Sequence, residues 1–180
     1  NLMASEDFGQ SVKVALRALS IVSEKTETKT VPTVNNGNQR YHAVGLGAMN
    51  LHGFFAKNEM HYGSPESIEF TDLYFLLLNY WTLVASNELA AEKGSFYEFE
   101  KSDYATGAYF ERYLENILTK ETIVYEKNKS LFTDIFIPAL DDWYALQQSI
   151  ETYGLRNAYR QAIAPTGSIS YVNEASASLH

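Results

Sequence analysis

The sequence has no cysteine, which removes disulfides, thiolate metal sites and any thiol chemistry carried by these 180 residues themselves. It is short of positive charge: 14 basic against 22 acidic side chains give a net −8 and a pI near 5.0. A duplex-binding domain carries a basic face, so this balance argues against nucleic acid as the main partner. A nucleotide stays compatible, because a small site needs only a few local donors. Long apolar runs are missing too. Residues 73–85 are the most apolar stretch, and Asn79 and Thr82 interrupt it well short of a bilayer span. No basic segment followed by an apolar core opens the chain, so no signal peptide is visible. The chain opens at Asn1 and closes at His180 without a helix stop, which leads us to expect an interior excerpt of a longer protein.

What is present is ordinary globular material: 46% hydrophobic and 20% charged residues. A body of this length can bury ~70% of the surface its unfolded chain exposes. Residues 8–24 place Val12, Ala15, Leu16, Leu19 and Val22 at helical spacing. After a polar stretch at 24–30, Pro32 and the Asn36-Gly37 pair predict a turn rather than a continuous helix. Residues 42–47 read as a brief strand feeding a helix over 48–57.

Ser64-Pro65-Glu66 is a helix start: hydroxyl cap, proline at the first position, acid in the first turn. The helix is expected to run to Lys93, with Gly94 as its stop. It is apolar on nearly every face over 73–85, so it should be covered on two sides. A short helix is expected over 109–118. Pro138 opens another in which Leu140, Trp143, Leu146, Ile150 and Tyr153 recur, ended by Gly154. Residues 157–164 read as a buried strand stopped by Pro165. Helices fed by strands make the class α/β.

The chemistry concentrates at Ala162-Ile163-Ala164-Pro165-Thr166-Gly167-Ser168-Ile169-Ser170-Tyr171. A strand ends at a proline, a glycine opens the backbone, and three hydroxyls precede a helix. First-turn N–H groups lack internal partners and carry the positive end of the helix dipole. Glycine lets an oxyanion approach closely, so this is a candidate phosphate cradle. It is neither a Walker loop nor a GxGxxG fingerprint. An ordinary capped strand-to-helix turn is the competing reading from chemistry alone.

Residues Ala164 to Tyr171 resemble the substrate-phosphate loop of ribonucleotide reductase large subunits. His42-Ala43-Val44-Gly45-Leu46-Gly47-Ala48-Met49-Asn50-Leu51-His52-Gly53 resembles a second segment of that family, in its class Ib form. Phe99-Glu100-Lys101-Ser102-Asp103-Tyr104-Ala105-Thr106-Gly107 and Tyr153-Gly154-Leu155-Arg156-Asn157 are similar as well, and the likeness runs in order over the whole chain. The resemblance implies a helix-rich excerpt of a ten-stranded α/β barrel, with residues 1–180 forming its central to C-terminal part as a single domain.

It further implies reduction of ribonucleoside diphosphates by thiyl-radical chemistry, with Pro165, Thr166, Gly167, Ser168, Ile169 and Ser170 as donors to the substrate diphosphate. By the same resemblance the thiyl cysteine, the redox cysteine pair and the relay tyrosines lie outside this stretch, and this segment binds no cofactor or metal. The parent would depend on a radical from a dimetal small subunit and on a thioredoxin- or glutaredoxin-like reductant. It would be a cytoplasmic homodimer, with neither nucleic acid nor membrane as partner. Two other readings stay open: a fragment of a cobalamin-dependent class II reductase, and a non-catalytic nucleotide- or phosphate-binding module.

The remaining polar residues carry blander readings. His42, His52 and His61 are not at the three- or four-residue spacing that puts two ligands on one helix face, so packing or surface roles are expected. The thirteen tyrosines are expected to pack the core. Asp141-Asp142 suits a first helical turn. Gly45 and Gly47 suit tight packing more than ligand approach. Since no residue here is a thiol, these 180 residues alone should reduce no ribonucleoside diphosphate with any dithiol. Product formation that survives removal of contaminating reductase, measured by chromatography, would contradict this.

Overall fold

The computed structural model describes residues 2–26, 30–118 and 123–179. Asn1, residues 27–29 within the polar stretch, residues 119–122 and His180 lie outside them. Eight helices are found among the described residues: α1 (Phe8–Lys25), α2 (Pro32–Tyr41), α3 (Leu51–Lys57), α4 (Pro65–Lys93), α5 (Ala108–Leu118), α6 (Glu126–Leu131), α7 (Leu140–Tyr153) and α8 (Gly167–Val172). None is long and apolar enough to cross a membrane.

α4 is the axis of the packing. Ser64 accepts a hydrogen bond from the Ser67 N–H at its start, and Gly94 ends it with φ 86°, a conformation that favours glycine. Leu77, Leu78, Thr82, Leu83 and Ser86 are fully buried, so the helix is covered on more than one side, as its composition demands. α1 covers one side with Val12 and Leu16, and α7 another with Trp143 and Ile150. Lys13 bonds Glu88 at 2.6 Å and Arg17 bonds Glu92 at 2.8 Å, a constant offset that sets α1 parallel to α4. Gly9 lets them close up: a Cβ there would lie 2.4 Å from the Trp81 ring. α7 runs the same way, with Trp143 against Tyr80 and Ser149 bonded to Asn87. Parallel neighbours require long crossovers: residues 26–64, with the first of two extended segments, join α1 to α4, residues 94–139 join α4 to α7, and the second extended segment follows α7.

Those segments correct the strand expectation. Residues 42–47 and 157–164 do lie side by side and parallel, but they share one bridge, Leu46 with Gln161, and no regular strand forms among the described residues. The reason is in the pairing. The bonds Val44 N–H to Tyr159 O and Leu46 N–H to Arg160 O join residues in unequal steps, so no ladder propagates. Residues 162–164 are exposed rather than buried.

Three other expectations shift. α2 occupies the stretch read as a turn: Pro32 sits at its first position, where a missing N–H costs nothing, and Asn38 ties it to α1 by donating to Ser23 O at 2.6 Å. α3 starts at Leu51, because residues 48 and 49 are not helical and Asn50 adopts a left-handed conformation. α6 was not anticipated. It forms because Glu69, from α4, accepts the N–H groups of Val124 and Tyr125 and the amide of Asn128.

Asn157 is the polar hub beneath the extended segments. It is fully buried, donates to Ser20 Oγ (3.0 Å) and His42 O (2.7 Å), and accepts from Ser86 Oγ (3.0 Å). Asn157→Ala would orphan groups on three elements and should lower the unfolding free energy by roughly 3 kcal/mol or more. Denaturant titration checks this, and a loss below about 1 kcal/mol would contradict the hub.

Beside it, Glu24 bridges Lys93 (2.7 Å) and Arg156 (3.0 Å). Burial alone would raise its pKa, but the hydrogen bonds from Lys93 and Arg156 outweigh burial and hold it below the usual carboxylate range. Burial and the Arg156 cation push His42 below its ordinary value of 6.5, against the pull of Glu24. In both cases the unfolded chain takes up the proton more readily, so stability rises with pH. It should be complete above about 6.5, fall as the pH drops through the lowered His42 value, and fall again below about 4.5 as Glu24 protonates. His42→Asn, which tolerates the left-handed backbone at this position, should flatten the upper window only. An unchanged slope there would refute the assignment.

Candidate functional site

The candidate site stands where the two extended segments end. Gly45 and Gly47 decide how closely they approach. A Cβ on Gly45 would lie 2.8 Å from the Ala162 Cβ, and one on Gly47 would lie 2.1 Å from the Ala162 carbonyl oxygen. Both glycines therefore serve backbone packing, against an extended segment rather than a helix. With them in place, Leu46 O accepts the Ala162 N–H at 3.3 Å, three residues before Pro165.

From Ala164 the chain is exposed through Pro165 and turns at Thr166, whose φ of 48° and ψ of 25° are left-handed. That conformation is costly for a β-branched residue and persists only when its surroundings impose it. Thr166 Oγ1 accepts the Ser178 N–H at 2.7 Å, and Thr166 O accepts the Ser170 N–H at 3.0 Å. The three hydroxyls then part company. Ser170 is buried and donates to Gly167 O at 2.7 Å, so it holds the turn from inside. Thr166 has its acceptor side engaged and keeps its proton to donate. Ser168 is exposed and makes no hydrogen bond among the described residues.

α8 begins at Gly167 with no side-chain cap, so the N–H groups of Gly167, Ser168 and Ile169 have no intrahelical acceptor. No atom lies within 4 Å of where a Gly167 Cβ would stand, so the approach to that backbone is open. Ile169 is about half exposed beside it. The arrangement offers backbone donors, the exposed Ser168 hydroxyl and the Thr166 hydroxyl proton to an anion, with no acidic side chain among the loop residues.

The remaining candidates fall elsewhere. His42 is buried, His52 packs edge-on to Tyr62 with centroids 5.5 Å apart, and His61 is exposed. No group of three His, Cys, Asp or Glu side chains among the described residues could hold a metal ion. Tyr109 and Tyr113 stack at 5.6 Å in the core, and burial pushes the Tyr113 phenol up to about 12. Tyr41, Tyr62, Tyr97, Tyr144, Tyr153, Tyr159 and Tyr171 are exposed, however, against the expectation that the tyrosines pack the core. Asp142 accepts the Ala139 N–H at the start of α7, the first-turn role its position suggested.

Two features were missed from sequence. Arg160 is buried without a carboxylate partner among the described residues, held by Tyr104 OH (3.1 Å) and Asn79 Oδ1 (3.3 Å). Asn50 and residues 175–178 brace the loop from behind, and Asn50 and Ser176 lie 126 positions apart, which no local signal records.

The family model for the ribonucleotide reductase barrel domain matches residues 1–180. Among curated relatives, the chain is 42% identical over 178 residues to the ribonucleoside-diphosphate reductase NrdEB subunit alpha of Bacillus subtilis, covering 98% of this chain and 16% of that protein. It is 43% identical over 175 residues to the ribonucleoside-diphosphate reductase subunit alpha of Mycoplasma pneumoniae, covering 96% of this chain and 24% of that one. The corresponding subunit of Treponema pallidum is 33% identical over 172 residues, with 96% and 18% covered. The chain thus spans a quarter or less of the length of these relatives. With the match extending over all its residues and the four ordered motifs, the chain belongs to the ribonucleotide reductase family, within its barrel domain.

Proposed function

We propose that these residues form the central to C-terminal part of the catalytic barrel domain, as a single domain, of a class Ib ribonucleoside-diphosphate reductase large subunit. In this reading Pro165, Thr166, Gly167, Ser168, Ile169 and Ser170 hold the diphosphate of the substrate. The observation that carries it is the uncapped start of α8, with unpaired N–H groups at Gly167, Ser168 and Ile169 over open space. The Thr166 proton and the Ser168 hydroxyl add donors, and Ser170 fixes the turn. Pro165 and the left-handed Thr166 set the direction in which the donors face.

The reaction divides accordingly. Relatives named as alpha subunits of ribonucleoside-diphosphate reductase support the substrate class. The sequence holds no cysteine, so the thiols of the reaction come from other parts of the protein and this segment binds and orients. The radical comes from a dimetal small subunit and the electrons from a thioredoxin- or glutaredoxin-like reductant, in a cytoplasmic homodimer. The net charge of −8 acts at a distance and is screened within about 10 Å at moderate salt, so it weakens anion binding without preventing it.

In the full-length protein, Gly167→Val should fold, since its side chain enters open space, and should raise KM strongly by filling the space a phosphate would take. Ser168→Ala removes one charge-assisted hydrogen bond and should cost about 1.5–3 kcal/mol, a ten- to hundred-fold effect. Both effects should be shared by every base, because the loop reads phosphate. Steady-state kinetics with each ribonucleoside diphosphate test this, and unchanged kinetics for Gly167→Val, or an effect confined to one base, would sink the assignment.

A further inference from the structure

The second family-like segment, residues 42–53, ends in a contact that the phosphate loop does not explain by itself. Asn50 is left-handed (φ 65°, ψ 27°), a conformation asparagine tolerates better than most residues. Its N–H donates to Ser176 O at 3.1 Å, and its Oδ1 accepts from the Ser176 N–H (2.9 Å) and Oγ (3.3 Å). Residues 175–178 are thereby pinned on one side. On the other side they hold the loop: the Ala175 N–H donates to Ser170 O at 3.0 Å and the Ser178 N–H to Thr166 Oγ1 at 2.7 Å. Gly53 seats the whole arrangement, because a Cβ there would lie 2.2 Å from Asn50 Oδ1.

We propose that Asn50 is a positioning residue for diphosphate binding: through Ser176 it fixes the segment that imposes the left-handed turn on Thr166 and aims its hydroxyl proton outward. The proposal rests on the reading of residues 165–170 as the diphosphate loop. Two features separate this role from general stability. Asn50 itself is partly exposed and its side-chain bonds run to a single residue, Ser176, so losing its side chain leaves no deep cavity. Gly53 lies inside α3, where alanine is favoured over glycine, so Gly53→Ala should leave the fold as stable or more so while displacing the Asn50 amide.

The test uses the full-length protein with its small subunit and reductant. Asn50→Gly keeps the left-handed backbone and removes only the side-chain bonds; Asn50→Asp keeps an acceptor at the same position. Asn50→Gly and Gly53→Ala should each raise KM about tenfold for every ribonucleoside diphosphate, the scale of one or two lost hydrogen bonds. kcat at saturation should change less than about twofold, the signature of lost ground-state binding. Asn50→Asp should recover most of the affinity, and amide exchange at Ser176 and Ser178 should quicken in the first two variants only. Should Gly167→Val raise KM while Asn50→Gly and Gly53→Ala leave it unchanged, the loop reading stands and the positioning role falls. If Gly167→Val also leaves KM unchanged, both fall. Equal losses of kcat and melting temperature in all three Asn50 and Gly53 variants, with no recovery in Asn50→Asp, would make Asn50 merely structural and overturn the proposal.

Discussion

The close approach of backbone at residues 45–47 to backbone at Ala162 is the contact on which the functional half of the molecule depends. With side chains at Gly45 and Gly47 the two extended segments would have to separate by more than an ångström, and the hydrogen bonds around Leu46 would open. Residues 163–179 hang from that junction, as does Asn50 on the opposite segment. The glycines therefore set the register between the loop and its brace, although neither touches the loop.

Burial beneath this junction is unusually polar. Asn157, Ser20, Ser86 and Thr82 are essentially without exposure, and Arg160 is buried with no carboxylate bonded to it among the described residues. Such groups stabilise little in net terms, because each exchanges bonds to water for bonds to protein. They do impose geometry, since any shift orphans several of them together. The apolar clusters around Trp143 and around Phe70 supply the burial that offsets chain entropy, and α4 contributes to both. Apolar packing holds the helices, and hydrogen bonding fixes the extended segments that lead to the site.

The proposed function follows from this division. A loop that must bring backbone N–H groups to a polyanion has to leave them unpaired, which a cooperative helix or ladder would not allow. Here the left-handed Thr166 interrupts the chain before α8, and residues 175–178 carry the cost by bonding Thr166 and Ser170 from behind. The strain is local, and the support comes from residues distant in sequence.

Much of this was readable from residue order. Ser64-Pro65 and Gly94 mark the ends of α4 because capping is chemistry of adjacent residues, and Gly154 ends α7 for the same reason. The loop was legible through its glycine and hydroxyls, and the family through four ordered motifs. The turn expected at Asn36-Gly37 became helix because Asn38 found Ser23, and α6 formed because Glu69 reached its N-terminus. The strands expected at 42–47 and 157–164 share only one bridge, since pairing depends on how two distant backbones meet. Local signals determined where helices start and stop and where an anion could be met. Which asparagine braces the loop, and so how its turn is held, was decided only by tertiary structure, because a hydrogen bond such as that between Asn50 and Ser176, 126 positions apart, leaves no periodic trace in the sequence.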